Sequence, residues 1–311
     1  HSPMLKVGAP ITLNVHDLAF GGEGVARYED FVVFVAFALP GETVEAEITE
    51  VKKRFARARL IRVLVPTAER VEPRCQYYGV CGGCQYQHYD YAAQLRLKQK
   101  QVRDILERIG GFDNPSVVAV IPCPQHYNYR NRIMVRSQWD KTVQALHVGF
   151  IRADSRLVVD VEQCEIAMPG VNEQLRHTHA NPPPKGGIKV VLRETPPGWN
   201  VPKDAFFQNN TAMLDSLIGA ARERLAQSGN HFLIDTYCGV GFFSIALARD
   251  VREFAGVEYD RLAVEAAKRN LSTHDVRNGS YISGKTEEHL PTLLRKFPAL
   301  ETTVILDPPR T

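Results

Sequence analysis

Phe232-Leu-Ile-Asp-Thr-Tyr-Cys-Gly-Val-Gly241 decides the fold. An apolar run ends in Asp235, a turn of small residues carries Gly239 and Gly241, and a helical pattern follows. That order is the strand–loop–helix of a nucleotide-type cofactor site, where glycine lets backbone approach a ligand beyond a strand's carboxyl end. A single G-x-G is weak evidence. It gains weight from Phe254-Ala-Gly-Val-Glu-Tyr-Asp260, which sets Glu258 where a ribose diol would be bound. A later run, Thr302-Thr-Val-Ile-Leu-Asp-Pro-Pro-Arg310, puts Asp307 at another strand end. Three acidic strand ends in this order point to S-adenosylmethionine more than to a dinucleotide.

Outward from that stretch, helices and strands alternate from about Pro202 onward, as in a parallel α/β sheet. With the run around Tyr281-Ile282 as third strand, the sequence reaches a fourth strand and stops at Thr311. An open doubly wound sheet normally has more, so the reading expects a truncated last domain. Residues 5 to 64 read differently. Ile11–Val15, Phe31–Val35, Thr43–Ile48 and Ala56–Ile61 are short β-rich runs parted by Gly21-Gly22, Glu29-Asp30 and Leu39-Pro-Gly41. Close spacing of short strands favours a small barrel. Pro66 and Pro73 mark a linker. Tyr91 to Ile109 has apolar residues at Leu95, Val102, Ile105, Leu106 and Ile109, which is helical spacing, and Gly110-Gly111 stops it. The Ala180–Gly187 stretch is a turn-rich connector. The expected division is a barrel at 5–64, a central α+β domain at 65–200 and the cofactor domain at 201–311.

At 311 residues the chain has room for two or three domains. No apolar run approaches the ~20 residues of a membrane span, and no secretory leader is visible. The reading is therefore a cytoplasmic monomer with no membrane partner. His1-Ser-Pro3 before Met4 reads as an expression remnant. Net charge is only +3, so any nucleic-acid affinity must be local. Lys52-Lys-Arg-Phe-Ala-Arg-Ala-Arg-Leu-Ile-Arg62 carries six positive charges and no negative one. In an extended strand Lys53, Phe55, Arg57 and Arg59 share one face, suited to phosphates and a stacked base. The plainer alternative is an edge strand protected by charge. Arg96, Lys100, Arg103 and Arg108 on the helix, with Tyr129-Arg-Asn-Arg132, add further basic surface.

Cys75, Cys81 and Cys84 form C-x5-C-x2-C, with Cys164 as a distant fourth sulfur. Four thiolates hold either an iron–sulfur cluster or a structural zinc, and spacing alone does not separate them. Buried cysteines without metal are the alternative. Cys238, inside the glycine turn, reads as a structural thiol. In Phe206-Phe-Gln-Asn-Asn210, Gln208 and Asn210 suit a polar ligand, although helix capping by Asn210 is simpler.

Together these motifs resemble the RNA uracil-C5 methyltransferase family, whose members modify ribosomal RNA or the transfer-RNA T-loop. Gly21-Gly-Glu-Gly-Val-Ala-Arg27 and Ala38-Leu-Pro-Gly-Glu42 look like its N-terminal TRAM RNA-binding barrel, an OB-like module. The resemblance implies a multidomain α/β protein: TRAM barrel, central iron–sulfur domain and Rossmann-like methyltransferase domain. It tips the metal toward a 4Fe-4S cluster on Cys75, Cys81, Cys84 and Cys164. It also implies S-adenosyl-L-methionine contacts by Gln208, Tyr237, Glu258 and Asp307, with RNA as partner. Phe242 stands where some members carry Asn after the last loop glycine.

The implied reaction is methylation of uracil C5, in 23S ribosomal RNA first and the transfer-RNA T-loop second. Thiolate addition at C6 makes C5 enolate-like, methyl transfer follows, and a base removes the C5 proton. The target base must leave its stack to react. The family's nucleophilic cysteine and glutamate base would lie beyond Thr311, so the expectation is that this form binds RNA without methylating it. Two other classes compete. A radical methylthiotransferase also pairs a cluster with a TRAM module, but its C-x3-C-x2-C spacing is absent. A non-catalytic RNA-binding module with a vestigial cofactor domain is the non-enzyme alternative.

Overall fold

A computed structural model describes residues 5–309. His1-Ser-Pro3, Met4, Arg310 and Thr311, all used in the sequence reading, lie outside the described residues. The chain forms two compact units, one of residues 5–122, 136–161 and 184–187, the other of residues 123–135, 162–183 and 188–309.

The first unit begins with five strands, β1 (Pro10–Leu18), β2 (Glu23–Tyr28), β3 (Phe31–Ala36), β4 (Thr43–Val51) and β5 (Phe55–Val65). They close into a barrel in the order β1-β2-β3-β5-β4. Alternate residues line its core: Leu13 and Val15, Val33 and Val35, Val44, Ala46 and Ile48, Ala56 and Ala58. The period of two follows from the pleat, which turns successive side chains to opposite faces. Four of the five strands were visible in the sequence. β2 was not, because Gly24 interrupts its pattern. Only glycine fits there, since a Cβ would meet the Ala38 carbonyl at 2.7 Å.

Closure corrects one alternative for the basic run. β5 is bonded to β3 on one side and β4 on the other, so it is not an edge strand. Nor is its charge unopposed. Arg57 pairs with Glu23 at 3.1 Å and Glu50 at 3.6 Å, Arg59 with Glu47 at 3.1 Å, and Arg62 with Glu45 at 2.5 Å. β4 sets Glu45, Glu47 and, past a register shift, Glu50 opposite Arg62, Arg59 and Arg57 of β5, which a reading of one strand at a time does not reveal.

The Pro66–Pro73 segment is fastened to the barrel rather than loose. Arg70 reaches both oxygens of Glu42, at 2.6 and 2.8 Å, and donates to the Phe37 carbonyl at 2.8 Å. Glu42 is 1% exposed and also accepts from the Leu39 N–H at 2.9 Å. Losing Arg70 would leave a buried, uncompensated carboxylate, at a cost of ~3–5 kcal/mol.

The expected helix is α1 (Tyr91–Arg108), capped by Asp90, whose Oδ2 accepts from the N–H groups of Ala92 and Ala93. Its buried residues are Ala93 and Leu97, against Leu18, Leu39 and Tyr89. Val102, Ile105 and Ile109 of the expected apolar face are exposed. Basic residues on α1 are partly neutralised: Arg96 pairs with Glu69, and Lys100 with Asp17 and Asp104. β6 (Arg132–Asp140), β7 (Ala145–Ile151) and β8 (Val158–Asp160) follow as an antiparallel meander.

The second unit holds α2 (Pro169–Ala180) and β9 (Lys189–Arg193), joined by Gln174 bonds to both the N–H and carbonyl of Arg193. From there α3 (Leu214–Ser228), β10 (Phe232–Thr236), α4 (Phe242–Ala246), β11 (Glu253–Glu258), α5 (Arg261–Thr273), β12 (Gly279–Ser283), α6 (Thr286–Lys296) and β13 (Thr302–Leu306) alternate as expected. The four strands are parallel in the order β12-β11-β10-β13. Both faces are covered. Leu233 and Phe254 face one cluster, and Ile234, Ala255 and Val257 face Leu293 and Phe297 on the other. Burial on two sides explains why these strands read as continuous apolar runs. The order reverses between β10 and β13, and ligands of open α/β sheets bind outside the strand ends at such a point.

Candidate cofactor site

Three acidic residues stand at the carboxyl ends of adjacent strands: Asp235 near the end of β10, Glu258 closing β11 and Asp307 just after β13. Asp235 is buried, and its Oδ2 accepts the Ser244 N–H at 3.1 Å. Burial pushes its carboxyl up to about 6; hydrogen bonds from Ser244 oppose that rise, and the charges of Asp307 and Glu258 add to it. Glu258 holds the turn between β10 and α4. Its Oε2 accepts the Gly239 N–H and its Oε1 the Asp260 N–H, both at 2.9 Å.

The turn itself is tightly determined. Tyr237 is left-handed, with φ of +54°, and its hydroxyl donates to Glu287 Oε1 at 2.6 Å. Gly241 has φ of +85°, and a Cβ there would lie 2.2 Å from the Tyr281 hydroxyl oxygen. That hydroxyl also bonds Ser244 Oγ at 3.0 Å. Cys238 is buried; burial first, then the charges of Asp235 and Glu258, raise its thiol well above the ordinary value. Such a thiol is a poor nucleophile, in keeping with a structural role.

Gln208 lies on the connector before α3. It is half-buried, and its carbonyl accepts from Asn131 Nδ2 at 2.8 Å. The carbonyl of Phe206, two residues before it, lies 4.0 Å from where a Cβ of Gly239 would be. Asn210 does not cap the following turn with its side chain; the amide lies against Cys123 Sγ, at 3.6 Å. Sequence reasoning missed Ser244, Asn270, Tyr281 and Glu287. Asn270 had a signal, as the one polar position on the Ala263–Ala266–Ala267 face of α5. The others are ordinary polar residues whose partners are distant in sequence.

Cys75, Cys81 and Cys84 lie half-buried in one loop of the first unit. That loop is pinned to the end of β7, with Gly82 N–H on the Ile151 carbonyl at 2.9 Å and Ala153 N–H on the Val80 carbonyl at 2.8 Å. The Gly83 N–H points at Cys81 Sγ, at 3.4 Å. Burial raises the Cys81 thiol, with the nearby Cys84 and Cys75 sulfurs adding to the rise. Soft donors and a backbone N–H aimed at sulfur fit a thiolate-bound metal group. Among the described residues no three His, Cys, Asp or Glu side chains converge closely enough to hold a metal ion. Cys164, in the second unit, is bracketed by Asn172, which bonds both its N–H and its carbonyl. No helix among the described residues is long and apolar enough to cross a membrane.

A closed five-stranded barrel and a parallel sheet with acidic strand ends around a glycine turn define the class, a methyltransferase-like fold with an N-terminal barrel module. Residues 5–61 match the TRAM domain and residues 192–310 match tRNA (Uracil-5-)-methyltransferase, and the chain belongs to that TRAM-containing methyltransferase family. A Synechocystis RNA methyltransferase is 26% identical over 389 aligned positions, covering 99% of this chain and 83% of the relative. Because 389 positions exceed the 311 residues of this chain, the relative carries internal segments that this chain lacks. The tRNA (uracil(54)-C(5))-methyltransferase of Schizosaccharomyces pombe is 28% identical, over 96% of this chain and 65% of its own length. The structure of Pyrococcus abyssi tRNA (uracil-54, C5)-methyltransferase with S-adenosyl-L-homocysteine superposes with a TM-score of 0.65, covering 88% of this chain and 79% of that one. At 20% identity that likeness speaks for the fold.

Proposed function

We propose that this protein methylates uracil C5 in RNA from S-adenosyl-L-methionine. The observation that carries the reading is the Gly239–Glu258 bond between the turn after β10 and the end of β11, with Asp235 in β10 and Asp307 just after β13 beside the switch point. Glu258 holds the ribose diol, while Gln208, Tyr237 and Asp307 make the remaining cofactor contacts. Bound S-adenosylmethionine supplies an electrophilic methyl on sulfur. The thiolate that adds to C6 and the base that takes the C5 proton are assigned to no residue of this chain, and Cys238 is too deeply buried to serve.

The same reading divides the chain into a TRAM barrel at 5–64, a central domain at 65–200 and a methyltransferase domain at 201–311. Cys75, Cys81, Cys84 and Cys164 would hold a 4Fe-4S cluster. RNA is the partner, the barrel contributing Lys53, Phe55, Arg57 and Arg59, and the protein acts as a cytoplasmic monomer. 23S ribosomal RNA is the first substrate. A transfer-RNA T-loop is the second, favoured by the names of the fission-yeast relative and the Pyrococcus structure. Mapping 5-methyluridine in RNA from cells lacking the gene tests this: ribosomal RNA should lose 5-methyluridine. Loss at the T-loop selects the second substrate, and an unchanged map overturns the proposal.

A further inference from the structure

Asn270 of α5 is fully buried and makes three hydrogen bonds, all to backbone. Its Nδ2 donates to the Val240 carbonyl at 3.0 Å and the Asn200 carbonyl at 3.1 Å, and its Oδ1 accepts the Asn200 N–H at 2.7 Å. Two acceptors and one donor around it leave a single orientation for the amide. Val240 belongs to the glycine turn. Asn200 belongs to the connector that runs on to Gln208.

One helical turn along the same face, His274 packs against Trp199 with ring centroids 4.6 Å apart and planes tilted by 45°. Trp199 packs in turn on Phe207 at 5.5 Å and Phe242 at 5.7 Å, and Phe207 meets Phe242 edge-on at 5.5 Å. Phe207 precedes Gln208, and Phe242 follows Gly241. The connector and the glycine turn are thus braced against each other twice, by a buried amide and by an aromatic cluster.

We propose that Asn270 is a positioning residue that couples the connector carrying Gln208 to the glycine turn, so that one side chain helps set both halves of the methyl-donor site. The inference rests on the reading of that site as the S-adenosylmethionine site. No side chain other than an amide can donate to both carbonyls and accept from the Asn200 N–H in the same volume. Asn270→Asp keeps the acceptor and loses both donations. Asn270→Ala loses all three and leaves Val240 O, Asn200 O and Asn200 N buried without partners.

The test is a double-mutant cycle on S-adenosyl-L-homocysteine binding, measured by titration calorimetry on the full chain. Gln208→Ala alone should weaken binding by about tenfold, and in the Asn270→Asp background by about threefold or less, because Gln208 is no longer held in place. Circular dichroism should be unchanged. Trp199 emission should shift to the red in Asn270→Asp, read in a Trp139→Phe background. If Asn270→Asp does not fold, Asn270→Ser, which keeps one donor and one acceptor, is put through the same cycle. Equal Gln208→Ala effects in both backgrounds, with only a lower melting temperature, would make Asn270 merely structural and overturn the proposal. A parent chain that binds no S-adenosyl-L-homocysteine overturns the cofactor reading and this inference with it. A parent that binds while the cycle is additive overturns this inference alone.

Discussion

The Oδ2 of Asp235 accepts the backbone N–H of Ser244 at 3.1 Å, tying the end of β10 to α4 beneath the glycine turn. Burial, opposed by Ser244 and aided by the charges of Asp307 and Glu258, pushes this carboxyl from 3.8 up to about 6. The native state therefore binds a proton more readily than the unfolded chain. Its destabilising effect is absent below the unfolded value, grows as pH rises toward about 6 and is complete above that. Asp235→Asn keeps an acceptor for Ser244 and removes the charge. It should stabilise the second unit by up to about 3 kcal/mol near pH 8, the gap narrowing toward pH 5. Melting curves across that range check the prediction, and a gap independent of pH would contradict it.

Gly241→Ala should destabilise the protein by roughly 2–5 kcal/mol, since a left-handed backbone and a contact with the Tyr281 hydroxyl act together. Gly219→Ala, within α3, is the control. Nothing lies within 4 Å of its added Cβ, so the helix should gain about 0.5–1 kcal/mol. Denaturant midpoints of the two variants should move in opposite directions.

On the barrel, Arg57 and Arg59 are held by Glu50 and Glu47. Exposed pairs of this kind contribute little to stability, so RNA phosphates can compete for the guanidinium groups. Glu47→Gln with Glu23→Gln and Glu50→Gln, the two partners of Arg57, should tighten RNA binding at low salt and steepen its salt dependence by ~0.7 per released charge. Lys53→Ala should flatten it by the same amount. A slope that responds to none of these changes would leave the ladder as a purely structural feature of the barrel.

Protein purified without oxygen should be brown and lose its iron when any one of Cys75, Cys81, Cys84 or Cys164 is changed to Ser. Stoichiometric zinc in place of iron would contradict the cluster assignment.

Much of this architecture was legible in the chain because its signals are local. Strands β10 and β11 are buried on both faces, β13 is a partly buried apolar run, and each carries an acidic residue at or next to its carboxyl end that no apolar core would select. The helix α1 was legible from its spacing, yet the residues it buries are Ala93 and Leu97 rather than Val102 and Ile105. Periodicity reveals a helix without saying which face finds a partner. What stayed hidden were pairings between distant residues: the glutamates of β4 opposite the arginines of β5, Arg70 with Glu42, and Asn270 with Val240. Each depends on strand register or helix placement, which no single segment encodes.

The central claim is that the glycine turn and its acidic strand ends bind S-adenosylmethionine, and calorimetric titration with S-adenosyl-L-homocysteine tests it most directly. The predicted result is one site per chain, weakened about tenfold or more by Glu258→Ala, which removes a charged hydrogen-bonding group, weakened also by Asp307→Ala, and unchanged by Lys53→Ala. Absence of binding, or binding indifferent to both acidic substitutions, would contradict it.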